Sequence, residues 1–169
     1  MFKRDLFLSV IPFRSEKLMS EIKVKLAHSE ALKFTAILPD GRGVELNSSE
    51  KMEKAFTPME LFLFAMAGCT AMDVQWIMDR QRQKLDKFEI SIDGIRREED
   101  PRYYETINME YTLEGQGLRK DAVDRAIRLS QDEYCSVRAM LNDKVKVNIT
   151  YTLGNGKEPP QKYTYSPKK

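Results

Sequence analysis

Two thiols are the residues of this chain best suited to chemistry of their own. Cys69 stands in the apolar run Ala67-Gly68-Cys69-Thr70-Ala71-Met72, and Cys135 in Tyr134-Cys135-Ser136-Val137. A thiolate can attack a peroxide oxygen and become a sulfenic acid, which condenses with a second thiol to give a disulfide. An external thiol then reduces that disulfide by exchange. The 66-residue separation of the cysteines neither demands nor forbids contact, so each also reads as a small buried hydrophobe. Cys69 has no Lys or Arg within a turn, and Asp73 four residues on opposes its ionisation. A cation would have to come from elsewhere, such as Arg42, Arg138 or a partner subunit. Cys135 falls at the start of an expected short helix, where the helix N-terminus favours the thiolate.

Composition narrows the other chemistries. With one histidine, His28, and two cysteines, no His/Cys zinc cage is expected from one chain, and no disulfide framework of a small secreted scaffold. No Gly-rich phosphate loop is present, and Gly115-Gln116-Gly117 reads as a turn, so no metal, nucleotide, flavin or other cofactor is expected. Hydrophobic residues make up 41% and charged residues 32% of 169 residues, as in an ordinary folded domain. The mean hydropathy is -0.53, and no unbroken apolar run approaches the eighteen or so residues of a membrane span. The net charge of +2 belongs to the ends: residues 1–20 carry +2 and residues 154–169 carry +3, leaving about -3 for the body. Nucleic-acid binding is therefore not expected, because it calls for a basic stripe on the folded part. The basic, apolar start resembles a signal peptide, but Asp5 and Pro12 interrupt it and no small-x-small cleavage site follows. A cytoplasmic protein is expected.

The elements that must position the thiols follow from pattern. Residues 22–27 alternate apolar and charged like a half-buried strand, residues 32–38 suggest a second, and residues 44–46 a short third after the turn Pro39-Asp40-Gly41-Arg42-Gly43. Thr57, Pro58 and Glu60 form a capping-box start for a helix of about 25 residues, roughly 37 Å long. That helix is apolar nearly all round as far as Met72, too long for a small monomer to bury, which implies a partner chain. Residues 88–92 and 104–113 read as antiparallel strands, residues 118–130 as a helix with outward Asp121–Arg125 and Asp124–Arg128 pairs, residues 136–141 as a short helix and residues 144–153 as a final strand. The order is that of an α+β domain. Residues 1–20 read as an N-terminal extension, 21–153 as the domain, and 154–169, with Pro159, Pro160 and Pro167, as a flexible tail.

The segment from Thr57-Pro58-Met59-Glu60-Leu61 through Ala67-Gly68-Cys69-Thr70-Ala71-Met72-Asp73-Val74 resembles the cysteine helix of the OsmC/Ohr family, in particular its YhfA-like branch. Tyr134-Cys135-Ser136-Val137 with Met140-Leu141 is similar to that branch's second cysteine motif, and Arg96-Arg97-Glu98-Glu99 with Pro101-Arg102 to its strand connection. The resemblance spans residues 21–153. It implies antiparallel sheets around a long central cysteine-bearing helix, with two chains intertwined as a homodimer. It also implies a cysteine-based peroxidase for organic hydroperoxides or H2O2, with Cys69 as nucleophile, Cys135 as resolving thiol and an external thiol or dithiol as reductant. Met59 stands where the Ohr and OsmC branches carry a catalytic glutamate, and Arg42 is the only arginine in the region of their activating arginine. A non-catalytic redox sensor or small-ligand-binding protein without the Arg–Glu peroxide site is the alternative expectation.

Overall fold

A computed structural model describes residues 22–49, 55–154, 156, 159 and 161–165. The N-terminal extension, residues 50–54 of the polar loop before the helix, and the remaining tail residues lie outside it. The chain divides into two compact units, up to Phe56 and from Thr57 onward, where the sequence suggested one domain with appendages.

The first unit is an antiparallel sheet of β1 (Lys25–Glu30), β2 (Lys33–Ile37) and β3 (Gly43–Asn47), in that order. The β2–β3 turn needs a left-handed residue, and Gly41 supplies it at φ 88°. Phe34 lies opposite His28 on β1 and Leu46 on β3. Every residue of β1 is exposed, against the half-buried strand expected, and Asn47 is the only buried residue among those described in this unit.

The second unit holds the hydrophobic core. Helix α1 spans Pro58–Arg80, two residues shorter than the expected 25 or so. Its capping box is complete: the Thr57 N–H donates to Glu60 Oε2 at 2.7 Å and the Glu60 N–H to Thr57 Oγ1 at 3.2 Å. Met66, Thr70, Val74, Ile77 and Met78 form its buried face, while Phe64 and Met72 are exposed, so within one chain it is not buried all round. By length and composition α1 could cross a membrane, a property masked in the sequence because Asp73 and Gln75 interrupt the apolar run. It packs on α2 and β4 inside a folded unit, as a core helix does.

The sheet under it comprises β4 (Lys87–Arg96), β5 (Tyr104–Glu114), β6 (Lys146–Gly154) and β7 (Gln161–Tyr165), in that order. Ile107, Met109, Tyr111 and Leu113 alternate inward on β5, and Ile149, Tyr151 and Leu153 do so on β6. Two features differ from expectation. First, β5 and β6 run parallel, Tyr111 opposite Tyr151, because residues 115–145 cross over through α2 (Lys120–Leu129), a π-helical turn (Ser130–Tyr134) and α3 (Ser136–Ala139). Second, residues 161–165 of the expected tail are an antiparallel edge strand, with Tyr163 stacked on Tyr151 at 5.0 Å between ring centres.

The helix α2 forms where periodicity puts it, but its surface pairs differ. Asp124 pairs with Lys120 at 2.6 Å, Arg128 with Glu133 at 3.4 Å, and Asp121 with Arg119 at 3.8 Å. The Tyr151 hydroxyl donates to Asp124 and draws that carboxylate toward the sheet. Gly94 on β4 is covered by the Tyr104 ring, which would lie 2.4 Å from a Cβ there. So placed, the Tyr104 hydroxyl donates to the Met59 carbonyl at 2.9 Å and fixes the first turn of α1.

Candidate dithiol site

The cysteines reach one site from two directions. Cys69 lies mid-way along α1, half-buried, with Asp73 one turn further on the same face. Cys135 follows the π-helical turn and caps α3, its N–H donating to the Ser130 carbonyl at 2.8 Å. The π-helical turn widens the end of α2. The two sulfurs and an Asp73 carboxylate oxygen lie within 4.8 Å of one another, and both thiols are free. Sequence separation left this meeting open.

A layer of polar side chains holds the three groups. The Thr70 hydroxyl donates to Cys135 Sγ at 3.6 Å, and the Arg138 backbone N–H does so at 3.4 Å. Gln131 Nε2 lies 3.2 Å from Thr70 Oγ1 and 3.3 Å from the Tyr111 hydroxyl. The Ser130 hydroxyl donates to Asp73 Oδ2 at 3.1 Å. Thr70, Ser130 and Gln131 are buried, and sequence reasoning passed over all three. Their signal was present: Ser130-Gln131 interrupts an apolar helix face five residues before a cysteine, and Thr70 adjoins the other. Asp73 was noticed only as an obstacle to Cys69 ionisation.

Burial dominates the electrostatics. It pushes the Cys135 thiol above its ordinary pKa; the Thr70 and Arg138 donors oppose the rise, and the neighbouring Cys69 thiol adds to it. The expectation of a lowered thiol pKa at this helix start is thus reversed, because desolvation outweighs the donors at the start of the four-residue α3. Burial also raises Asp73, with the Ser130 hydroxyl opposing. Tyr111 is likewise raised, first by burial.

The suggested cations are placed as follows. Arg42 is exposed and tied to Asp40 within its own turn, at 2.7 Å. Arg138 and Cys135 line a polar cavity of about 540 Å³, together with Arg128, Gln131, Tyr134 and Asp143. Two of those residues each bury a polar atom, Arg138 Nε and Gln131 Oε1, without a hydrogen-bond partner among the described residues. Glu60 is engaged in the capping box, and Met59 packs against the core, so neither supplies a carboxylate to the thiols.

This architecture has relatives. The family model described as OsmC-like protein matches residues 50–150. Protein YhfA of Escherichia coli strain K12 is 36% identical over 124 residues, covering 73% of this chain and 92% of its own. Among solved structures, a hypothetical protein from Aquifex aeolicus VF5 superposes with a TM-score of 0.70 at 30% identity, covering 80% of this chain and 97% of that one. An organic hydroperoxide resistance protein OsmC from Legionella pneumophila shares the fold, with a TM-score of 0.63 at 13% identity, covering 82% and 99%.

Proposed function

The chain belongs to the OsmC-like protein family, and from that membership we propose that it is a thiol-dependent peroxidase for organic hydroperoxides or H2O2. The observation that carries this reading is the approach of Cys69 and Cys135, free thiols whose sulfurs lie within 4.8 Å. Cys69 is the more accessible of the two and takes the nucleophilic role. Its thiolate attacks the distal peroxide oxygen, the O–O bond breaks, and the alkoxide leaves as an alcohol after taking a proton. The resulting sulfenic acid is attacked by Cys135, releasing water and closing the disulfide. An external thiol opens that disulfide by exchange, and a second completes its reduction. Asp73 is the carboxylate best placed to relay these protons, and its raised pKa brings it nearer the working pH.

Homodimer formation belongs to the same reading. Ile22, Val24, Leu26 and Leu32 of the first unit and Met72 of α1 are large apolar residues left exposed by a single chain. A cytoplasmic setting would keep both thiols reduced between turnovers.

The test is consumption of cumene hydroperoxide and H2O2 with dithiothreitol or dihydrolipoamide. Wild-type protein should turn over, Cys69→Ser should not, and Cys135→Ser should trap a sulfenate or mixed disulfide at Cys69. No wild-type turnover, with both thiols free after peroxide, would sink the proposal. A ligand-binding role would then lead, on the strength of the cavity of about 540 Å³ beside Cys135.

A further inference from the structure

We propose that Cys69, Asp73 and Cys135 form a binding site for a thiophilic divalent cation of the zinc type, held by two thiolates and one carboxylate with the fourth position open. The three donor atoms already lie within 4.8 Å of one another. A tetrahedral zinc centre with Zn–S near 2.3 Å and Zn–O near 2.1 Å holds such atoms roughly 3.5–3.8 Å apart. About an ångström of tightening is required, within reach of side-chain rotation at the half-buried Cys69 and Asp73. The i,i+4 spacing on α1 puts two donors on one helix face, and the chain brings the third from the cap of α3.

The surroundings are those of a ligand set that is held in place. Ser130 donates to Asp73 Oδ2, leaving the other carboxylate oxygen available to a metal. Thr70 and the Arg138 N–H donate to Cys135 Sγ, and Gln131 holds Thr70 in turn. Hydrogen bonds of this kind orient metal ligands and stabilise thiolate charge. Two soft thiolates favour Zn²⁺ or Cd²⁺ over Mg²⁺ or Ca²⁺. Binding releases two thiol protons and forms two metal–sulfur bonds, with no change of oxidation state. The disulfide form has no thiolate to offer, so the cation and the disulfide are alternative states of the same two sulfurs. The site expected to hold no metal from a count of histidines and cysteines is completed by a carboxylate.

Cation binding at the two thiolates requires no peroxidase turnover, and it is tested without peroxide. Reduced, full-length protein is titrated anaerobically with Co²⁺, followed by displacement with Zn²⁺ and readout by thiolate-to-cobalt charge-transfer absorbance. One ion per chain is expected, with none bound after oxidation to the disulfide. Cys69→Ser and Cys135→Ser should each remove about half of the charge-transfer intensity. Asp73→Asn should keep the intensity of two thiolates while weakening affinity at least about tenfold. Ser130→Ala removes the hydrogen bond that holds Asp73 but no metal donor, and should weaken binding by a smaller factor, with circular dichroism checking that each variant is folded. No binding at micromolar metal would overturn the site, as would binding indifferent to the cysteine substitutions. Affinity unchanged in Asp73→Asn would overturn the three-donor assignment.

Discussion

The two sheets of this chain are built on opposite principles. The four-stranded sheet lays Ile107, Met109, Tyr111, Leu113, Ile149 and Tyr151 beneath α1 and α2, all at or near complete burial. The three-stranded sheet has comparable strand-forming residues, yet Leu26 of β1 and Leu32 of the β1–β2 turn remain more than half exposed and only Asn47 is buried among the described residues of that unit. A sheet needs a covered apolar face to be stable in water. The difference teaches that the second unit holds a hydrophobic core and both thiols, whereas the described residues of the first form no comparable core.

The sharpest way to break this comparison is to cut a side chain from each side. Met78→Ala, at a fully buried position of α1, should cost about 2–5 kcal/mol in urea unfolding. Leu26→Ala in β1 should cost within about 0.5 kcal/mol if that strand stays exposed in solution. A loss of several kcal/mol for Leu26→Ala, growing with protein concentration, would show instead that a second chain covers β1. Next in size is Gly94→Ala. Its methyl group collides with the Tyr104 ring 2.4 Å away, so the ring must move and release the Met59 carbonyl. A cost of about 1–3 kcal/mol is expected from such overpacking. No loss would mean that Tyr104 does not pin the start of α1.

A smaller effect probes the polar layer around Cys135. Thr70→Val deletes a hydrogen bond to Cys135 Sγ that opposes the rise of its thiol pKa. In a Cys69→Ser background, alkylation of Cys135 at neutral pH should slow by about two- to tenfold, the range of one ordinary hydrogen bond. An unchanged rate across the pH range would remove Thr70 from the control of that thiol.

The same contrast explains what was legible in the sequence. The capping box at Thr57 and Glu60, the helix at 120–129 and the cap position of Cys135 follow local rules, and each lies where its residues put it. The resemblance to the cysteine motifs carried the pairing of Cys69 with Cys135, which spacing by itself left open. Partnerships between distant residues were not legible. Ser130 meets Asp73 from 57 residues away, and Gln131 meets Thr70 from 61. The β5–β6 pair is parallel because a crossover carries the chain back, and β7 hides in a proline-flanked, polar segment whose strand character comes from pairing with β6. Burial of the Cys135 thiol is likewise tertiary, so the helix-start argument pointed the wrong way.

Asp73 gives the subtlest test, because it asks how much burial at the dithiol site costs the fold. Its carboxyl is held above the ordinary value by burial, with Ser130 opposing. A group whose folded pKa is raised contributes stability in full below its unfolded pKa of about 3.9, and that contribution is lost as pH rises through the folded value. Asp73→Asn keeps a neutral side chain at every pH. Relative to wild type it should therefore gain stability between acid and neutral pH, with the whole gain accruing above pH 4 or so. Urea midpoints of reduced, chelator-treated protein at pH 3.5 and pH 7.5 measure it. A wild type that outlasts Asp73→Asn by more at pH 7.5 than at pH 3.5 would mean that the ionised carboxylate is favoured in the fold, and that donors to it outweigh its burial.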